Sequence, residues 1–169
     1  VYDDVFHIQN YWFRLSLPDF SNKEKFGDVE NKAMWDEATA AARDALQEFG
    51  TRYVEGGGEA AFYGPKIDVQ IQNVNGKEDT IATVQVDFYS ATRFNLAFTN
   101  ARGEKELPVI IHRAIMGSFE RFFAFLIEQY AGVFPTWLSP THVSLLPISE
   151  KQLEYAHTIE QELQAGGLQ

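Results

Sequence analysis

Residues 108–121 read PVIIHRAIMGSFER. Val109, Ile110 and Ile111 form a short β-branched run, as strands favour, and His112 interrupts it. From Ser118 onward the apolar spacing changes from two to about 3.6: Phe119, Phe122, Phe123, Leu126 and Tyr130 share one helical face. Ser118 can cap that helix, Glu120 suits its positive end, and Gly132 and Pro135 close it. The stretch is therefore a strand-to-helix corner carrying His112, Ser118 and Arg121. Arg121 falls in the first helical turn, where backbone N–H groups point at anions, so it can share a phosphate or a carboxylate with the helix start. The ordinary alternative is a surface ion pair with Glu120 or Glu128. His112 is a structural histidine or a ligand. Zinc takes three or four ligands, and no His or Cys cluster lies close to it in sequence.

Working outward, the apolar run Val143–Ile148 reads as another strand, and Ser149-x-x-Gln152 opens a helix through Leu153, Ala156, Ile159 and Leu163. Towards the N-terminus, Phe94, Leu96 and Phe98 read as a strand ending in a turn near Asn100–Gly103. Asn75-Gly76 is a two-residue hairpin turn between Ile67–Ile71 and a return strand over about Thr80–Phe88. Glu55–Glu59, with three glycines, reads as a flexible connection. Met34, Trp35, Ala38, Ala42, Ala45, Leu46 and Phe49 form a helical stripe capped by Asn31 and ended by Gly50, after a polar loop over 21–30. Tyr11–Leu17 alternates as a strand up to Pro18. The expected class is α+β: an antiparallel sheet flanked by helices, followed by the first strand and helix of an α/β unit.

The totals bound the function. At 169 residues and 45% hydrophobic content the chain can bury a core. The net charge of −10 argues against a nonspecific nucleic-acid binder, because phosphate contacts need clustered Lys and Arg, but leaves room for a local RNA-binding patch. There is no cysteine, so disulfides are excluded and no Cys-based metal site comes from this chain alone. No apolar run approaches the roughly 20 residues of a membrane span, and the acidic start is unlike a signal peptide; a soluble, cytoplasmic protein is expected. The first residue is Val and the last six are QAGGLQ, so both ends are expected to be cuts within a longer protein.

Two further patterns carry candidate chemistry. Lys66, Asp68 and Gln70 share one strand face, and Thr83, Gln85 and Asp87 share one on the return strand. Pattern alone favours a solvated face; the alternative is a polar ligand floor in which Gln and Asp orient a ligand by paired hydrogen bonds. In AFYGPKID, Gly64-Pro65 is a rigid turn that can present the Tyr63 phenol and the Lys66 ammonium to one ligand, or simply lead into a strand. Motifs for a nucleophilic serine, a phosphate loop or a zinc protease are absent.

In order, AFYGPKID (61–68), TVQVDF (83–88), PVIIHRAIMGSFERF (108–122) and AGVFPTWLSP (131–140) resemble the threonyl-tRNA synthetases, class II aminoacyl-tRNA synthetases. The third block resembles the class-defining motif of strand, Gly turn and arginine-bearing helix. The resemblance covers nearly the whole chain. It implies a partial class II catalytic domain over 1–138 and the start of an anticodon-binding domain over 139–169. It implies that His112 is one of three protein ligands of a zinc ion that also binds the amino and hydroxyl groups of threonine. Such a site rejects isosteric valine, which leaves it unsatisfied. Arg121 and Lys66 would be the catalytic cations, Arg121 on ATP phosphate beside the adenine. Tyr63, Lys66, Gln85 and Ser118 would line the threonine and adenylate pocket, with Thr83 near the ribose. The polar face then becomes the floor of the site.

The implied reaction makes threonyl-adenylate from threonine and ATP with Mg2+, then transfers the acyl group to tRNA(Thr). A homodimer is implied for the full-length enzyme, with no membrane partner. The family's first two motifs, the other two zinc ligands (a Cys and a His) and the editing domain are absent from these residues. Thr80 stands where family members often carry Gln. The chain by itself is thus expected neither to hold zinc tightly nor to aminoacylate. The alternatives are a non-catalytic synthetase-like module for RNA binding or regulation, and a class II enzyme for another amino acid. Retention of His112, Arg121, Gln85, Tyr63 and Lys66 argues against the first, and the IHRA histidine with FYGPK against the second.

Overall fold

The computed structural model describes residues 1–26 and 32–168. In chain order its elements are β1 (Tyr11–Leu17), α1 (Lys23–Phe26), α2 (Lys32–Glu48), β2 (Tyr53–Gly57), β3 (Lys66–Gln72), β4 (Glu78–Asp87), α3 (Ser90–Arg93), β5 (Phe98–Thr99), β6 (Lys105–Glu106), β7 (Ile110–Ala114), α4 (Phe119–Tyr130) and α5 (Leu153–Ala165). They form two compact units, Val1–Phe125 and Leu126–Gln169, with the division inside α4. The Asn31 cap, and the part of the polar loop from Gly27 to Glu30, lie outside the described residues.

The first unit is built on a five-stranded sheet in the order β2-β1-β3-β4-β7. Its pairs are antiparallel except β1–β2, which run parallel, with α2 as the crossover between them. The first three residues of the Gly-rich stretch expected to be a flexible connection, Glu55 to Gly57, are thus the end of the edge strand β2. A ladder is made of backbone groups, so glycines can form it, and Gly56 is the residue that fits here. A Cβ at that position would come within 3.0 Å of the Arg14 side chain.

One face of the sheet is apolar and packs on α2. Leu15 meets Ala42 and Leu46, with Phe13, Leu17, Tyr53 and Ile67 around them. Trp35 and Ala38 pack with Phe26, Ala60 and Phe88. The buried positions of α2 are Trp35, Ala38, Ala42 and Leu46, the centre of the expected stripe; Met34 and Phe49 are exposed. Burying Trp35 alone is worth roughly 3 kcal/mol. A third cluster, Val69, Ile71, Ile81 and Ala82, gathers Tyr2, Tyr11, Phe13 and Phe125.

Two further expectations in this unit need correction. The β3–β4 loop is not a two-residue turn: Asn73 N–H donates to Lys77 O at 2.9 Å, and Gly76 takes the left-handed φ of +77°. The loop is therefore Val74-Asn75-Gly76, held by Asn73 Oδ1, which accepts from the Asn75 and Lys77 N–H groups. Phe94–Phe98 is not a strand. Asp87 caps the short α3, Leu96 N–H returns to Ala91 O, and Asn95 adopts φ +51°, so extended pairing begins only at Phe98.

In the second unit, Val143–Ile148 forms no ladder, because among the described residues no strand lies beside it to supply the hydrogen bonds. Ser149 and Gln152 do form the expected capping box, leading through a 3-10 turn into α5.

Candidate active site

Cross-strand register assembles the site. Arg14, Asp68, Thr83 and Ala114 lie in one row across β1, β3, β4 and β7, and Ser16, Lys66, Gln85 and His112 lie in the next. Trp12, Gln70 and Thr80 form a third row. Side chains in these rows share the face opposite the α2-packed one, because alternate residues of each strand point the same way. A β-bulge between Val69 and Gln70 lets Ile81 enter the apolar cluster while Thr80 stays with the polar row, where Gln70 Nε2 donates to its Oγ1 at 2.7 Å.

This face is not a solvated one. Ser16 and Asp68 are 0% exposed, and Gln70 and Asp87 1%. Every buried side-chain N or O atom among the described residues has a partner, as burial of polar groups demands. Asp68 is the hub. Its Oδ2 accepts from Ser16 Oγ at 2.7 Å and lies 3.1 Å from Lys66 Nζ and 3.6 Å from the Arg14 guanidinium. Its Oδ1 accepts from Thr83 Oγ1 at 2.8 Å. Gln85 Nε2 in turn donates to Thr83 Oγ1 at 3.3 Å, and the Tyr63 hydroxyl donates to Gln85 Oε1.

Asp87 is the second hub. Its Oδ1 accepts from the Tyr89 and Ser90 N–H groups, and its Oδ2 from Ser90 Oγ at 2.6 Å. Oδ2 also lies 2.8 Å from His112 Nε2. Burial works to raise the Asp87 carboxyl, but hydrogen bonds from His112, Ser90 and Tyr89 outweigh it and hold the group below its ordinary value. The Tyr63 phenol is pushed up, by burial first and then by the charges of Asp87 and Asp68. Its ring stands 5.8 Å from that of His112.

Tyr63 and Lys66 reach the floor because the intervening turn lies against β4. Val86 N–H donates to Pro65 O at 3.0 Å and Phe88 N–H to Tyr63 O at 3.3 Å. Gly64 is required: a Cβ there would come within 1.8 Å of Val86 O. The strand-to-helix corner is held similarly. Gly117 adopts φ +59°, a Cβ on it would lie 2.8 Å from Ile81 O, and the Tyr2 hydroxyl donates to Ile115 O with Ile81 O 3.3 Å away.

Tyr63, Lys66, Thr83, Gln85 and His112 thus share one floor, the first four in one hydrogen-bonded network. Ser118 and Arg121 are not members of it. They start α4, where Ser118 Oγ accepts the Arg121 N–H at 3.3 Å as the expected cap, and Arg121 is exposed. Sequence reasoning assigned no role to Arg14 or Ser16, and gave Asp68 and Asp87 one only through the alternative of a polar ligand floor. The available signal was alternation: both β1 residues sit at even positions of a strand whose odd positions are apolar. For a metal, the site offers one corner. His112 is half exposed and anchored through Nε2, leaving Nδ1 for a ligand bond. Among the described residues no group of three or more His, Cys, Asp or Glu side chains is arranged to hold an ion.

Residues 2–130 match the model of the tRNA synthetase class II core domain (G, H, P, S and T). The chain belongs to this family of class II synthetase cores. It is 46% identical over 169 residues to the threonine–tRNA ligase of Oceanobacillus iheyensis and 47% identical to that of Listeria welshimeri, covering 99% of this chain and 26% of each relative. The chain therefore spans about a quarter of the length of these relatives. Among solved structures, the RNA binding domain of threonyl-tRNA synthetase from Cryptosporidium parvum Iowa II superposes with a TM-score of 0.80 at 37% identity, over 94% of this chain and 38% of that one. A protein described as threonyl-tRNA synthetase ThrRS-1 from Aeropyrum pernix does so with a TM-score of 0.68 at 32% identity, over 100% of this chain and 40% of that one. The expected fold and the likeness to threonyl-tRNA synthetases are both borne out.

Proposed function

We propose that this chain is the C-terminal part of the catalytic core of a threonine–tRNA ligase, with residues 139–169 beginning its anticodon-binding domain. The whole protein activates threonine with ATP and Mg2+, and then acylates tRNA(Thr). The observation that carries this reading is the buried, fully hydrogen-bonded polar floor. A merely structural sheet face gains nothing from burying Asp68 beside Lys66 and Arg14 and burying Gln70 and Asp87 as well, whereas a site that must orient a small polar ligand needs preset donors and acceptors.

In the first step a threonine carboxylate oxygen attacks the α-phosphorus of ATP and pyrophosphate leaves. Lys66 and Arg121 supply positive charge where negative charge builds up, and Arg121 stands at a helix start suited to phosphate. Tyr63, Gln85 and Ser118 contact threonine and its adenylate, and Thr83 lies towards the ribose. His112 supplies one zinc ligand, the others coming from outside this chain; bound zinc would anchor the amino and hydroxyl groups of threonine. The cytoplasm is the expected compartment and a homodimer the expected assembly. No helix of the described residues is long and apolar enough to cross a membrane.

A second reading is a non-catalytic RNA-binding module, favoured by the description of the Cryptosporidium neighbour as an RNA binding domain. Pyrophosphate exchange by the full-length protein separates the two. Exchange driven by threonine, weaker with serine and absent with valine, is expected; no exchange in zinc-replete protein removes the enzyme reading.

A further inference from the structure

We infer that Asp68 is a positioning residue that sets the donor–acceptor polarity of the floor, through a one-way hydrogen-bond chain ending at Tyr63. This rests on the proposed function and deepens it. The argument is one of proton counting. Ionised Asp68 can only accept. Thr83 has one hydroxyl proton, and it goes to Asp68 Oδ1 at 2.8 Å. Towards Gln85, Thr83 can therefore only accept, so the Gln85 amide must turn its Nε2 to Thr83, at 3.3 Å. That turn aims Oε1 at Tyr63, which must donate its own proton inwards.

Three consecutive bonds thus run the same way, and each polarises the next. The outward result is specific. With its proton committed, the Tyr63 oxygen offers the ligand only acceptor capacity. Gln85 keeps one N–H as a donor, and Lys66 adds another cationic donor. The floor accepts a ligand with a donor group, an ammonium or hydroxyl, over Tyr63 and an acceptor oxygen over Gln85 and Lys66. A ligand of reversed polarity leaves both ends unpaired.

Asp68 is held for this task. Its side chain is 1% exposed, and Ser16, Lys66 and Arg14 surround Oδ2, leaving Oδ1 to Thr83. Replacing the carboxylate by an amide removes the one member that cannot donate. Thr83 is then free to reverse, the Gln85 amide to flip, and the Tyr63 proton to point outwards.

The test is a set of variants in the full-length protein. Asp68→Asn and Thr83→Val should each raise the threonine KM about tenfold, as expected for a mispaired buried hydrogen bond. Thr83→Ser, which keeps the hydroxyl, should restore the threonine KM. Tyr63→Phe should cost about tenfold alone and less than threefold when added to Asp68→Asn or Thr83→Val, because the chain is already broken. Additive losses, or Thr83→Ser as damaging as Thr83→Val, overturn the proposal. The Thr83 pair carries the test if Asp68→Asn does not fold. A readout independent of activity separates this proposal from the functional one. In protein labelled with 13Cζ-tyrosine, the Tyr63 signal, assigned by its loss in Tyr63→Phe, should move in Thr83→Val and stay in Thr83→Ser. No difference between the two overturns the chain even in an active enzyme. The expected difference in a protein without threonine-driven exchange upholds the chain and removes the threonine reading.

Discussion

Two carboxylates, Asp68 and Asp87, organise the residues that would meet a ligand, each by its own means. Asp68 pairs with Lys66 and Arg14 while orienting Thr83, and Asp87 faces His112. With Nε2 bound to Asp87 Oδ2 at 2.8 Å, the ring presents Nδ1 elsewhere. If that nitrogen meets zinc, Asp87→Asn should weaken zinc binding by the full-length protein about tenfold or more, measured by competition with a chelator. His112→Ala should lose zinc and threonine binding together; unchanged zinc content in that variant removes the metal role. Arg121→Ala should raise the ATP KM and leave zinc content alone, because Arg121 stands apart from the Asp87 hub. Normal ATP kinetics in that variant would exclude the phosphate role.

At the scale of elements, close backbone approaches hold the floor in place. Gly64 and Gly117 press two connections onto β4, at Val86 and Ile81. Gly64→Ala should cost about 3 kcal/mol or more, because the clash is with a carbonyl oxygen rather than the tip of a flexible side chain; denaturant unfolding of the protein measures it. The N-terminal segment adds a hydroxyl strap, since Tyr2 donates to the Ile115 carbonyl and lies 3.3 Å from that of Ile81. Burial pushes the Tyr2 phenol up to about 12. A raised folded-state value means stability is unaffected below the ordinary tyrosine value of about 10 and falls as pH rises from there towards 12. Tyr2→Phe should flatten that alkaline limb in urea unfolding curves collected between pH 8 and 11. A limb of unchanged slope would mean that Tyr2 is not the group responsible.

Among the described residues the chain carries the floor, with His112 as a candidate metal ligand. Expressed alone, the chain should show no threonine-driven pyrophosphate exchange and no tight zinc binding, by exchange assay and zinc titration; activity comparable to the full-length protein would mean that the site is complete here. The sequence by itself determined which strand positions are polar, because alternation is a local property of the pleat. It determined the strand-to-helix corner through the change of period at Ser118, and the family through four ordered blocks. It did not determine that the polar face is buried. Exposure depends on what surrounds Asp68 and Asp87; Arg14 and Ser16 from β1 reach Asp68, and His112 from β7 reaches Asp87, by strand pairing rather than by proximity in the chain. For the same reason β2 could not be read from its glycines, nor the status of Val143–Ile148 from its apolar run. A strand is defined by a neighbour's hydrogen bonds, and only the tertiary structure decides which neighbours exist.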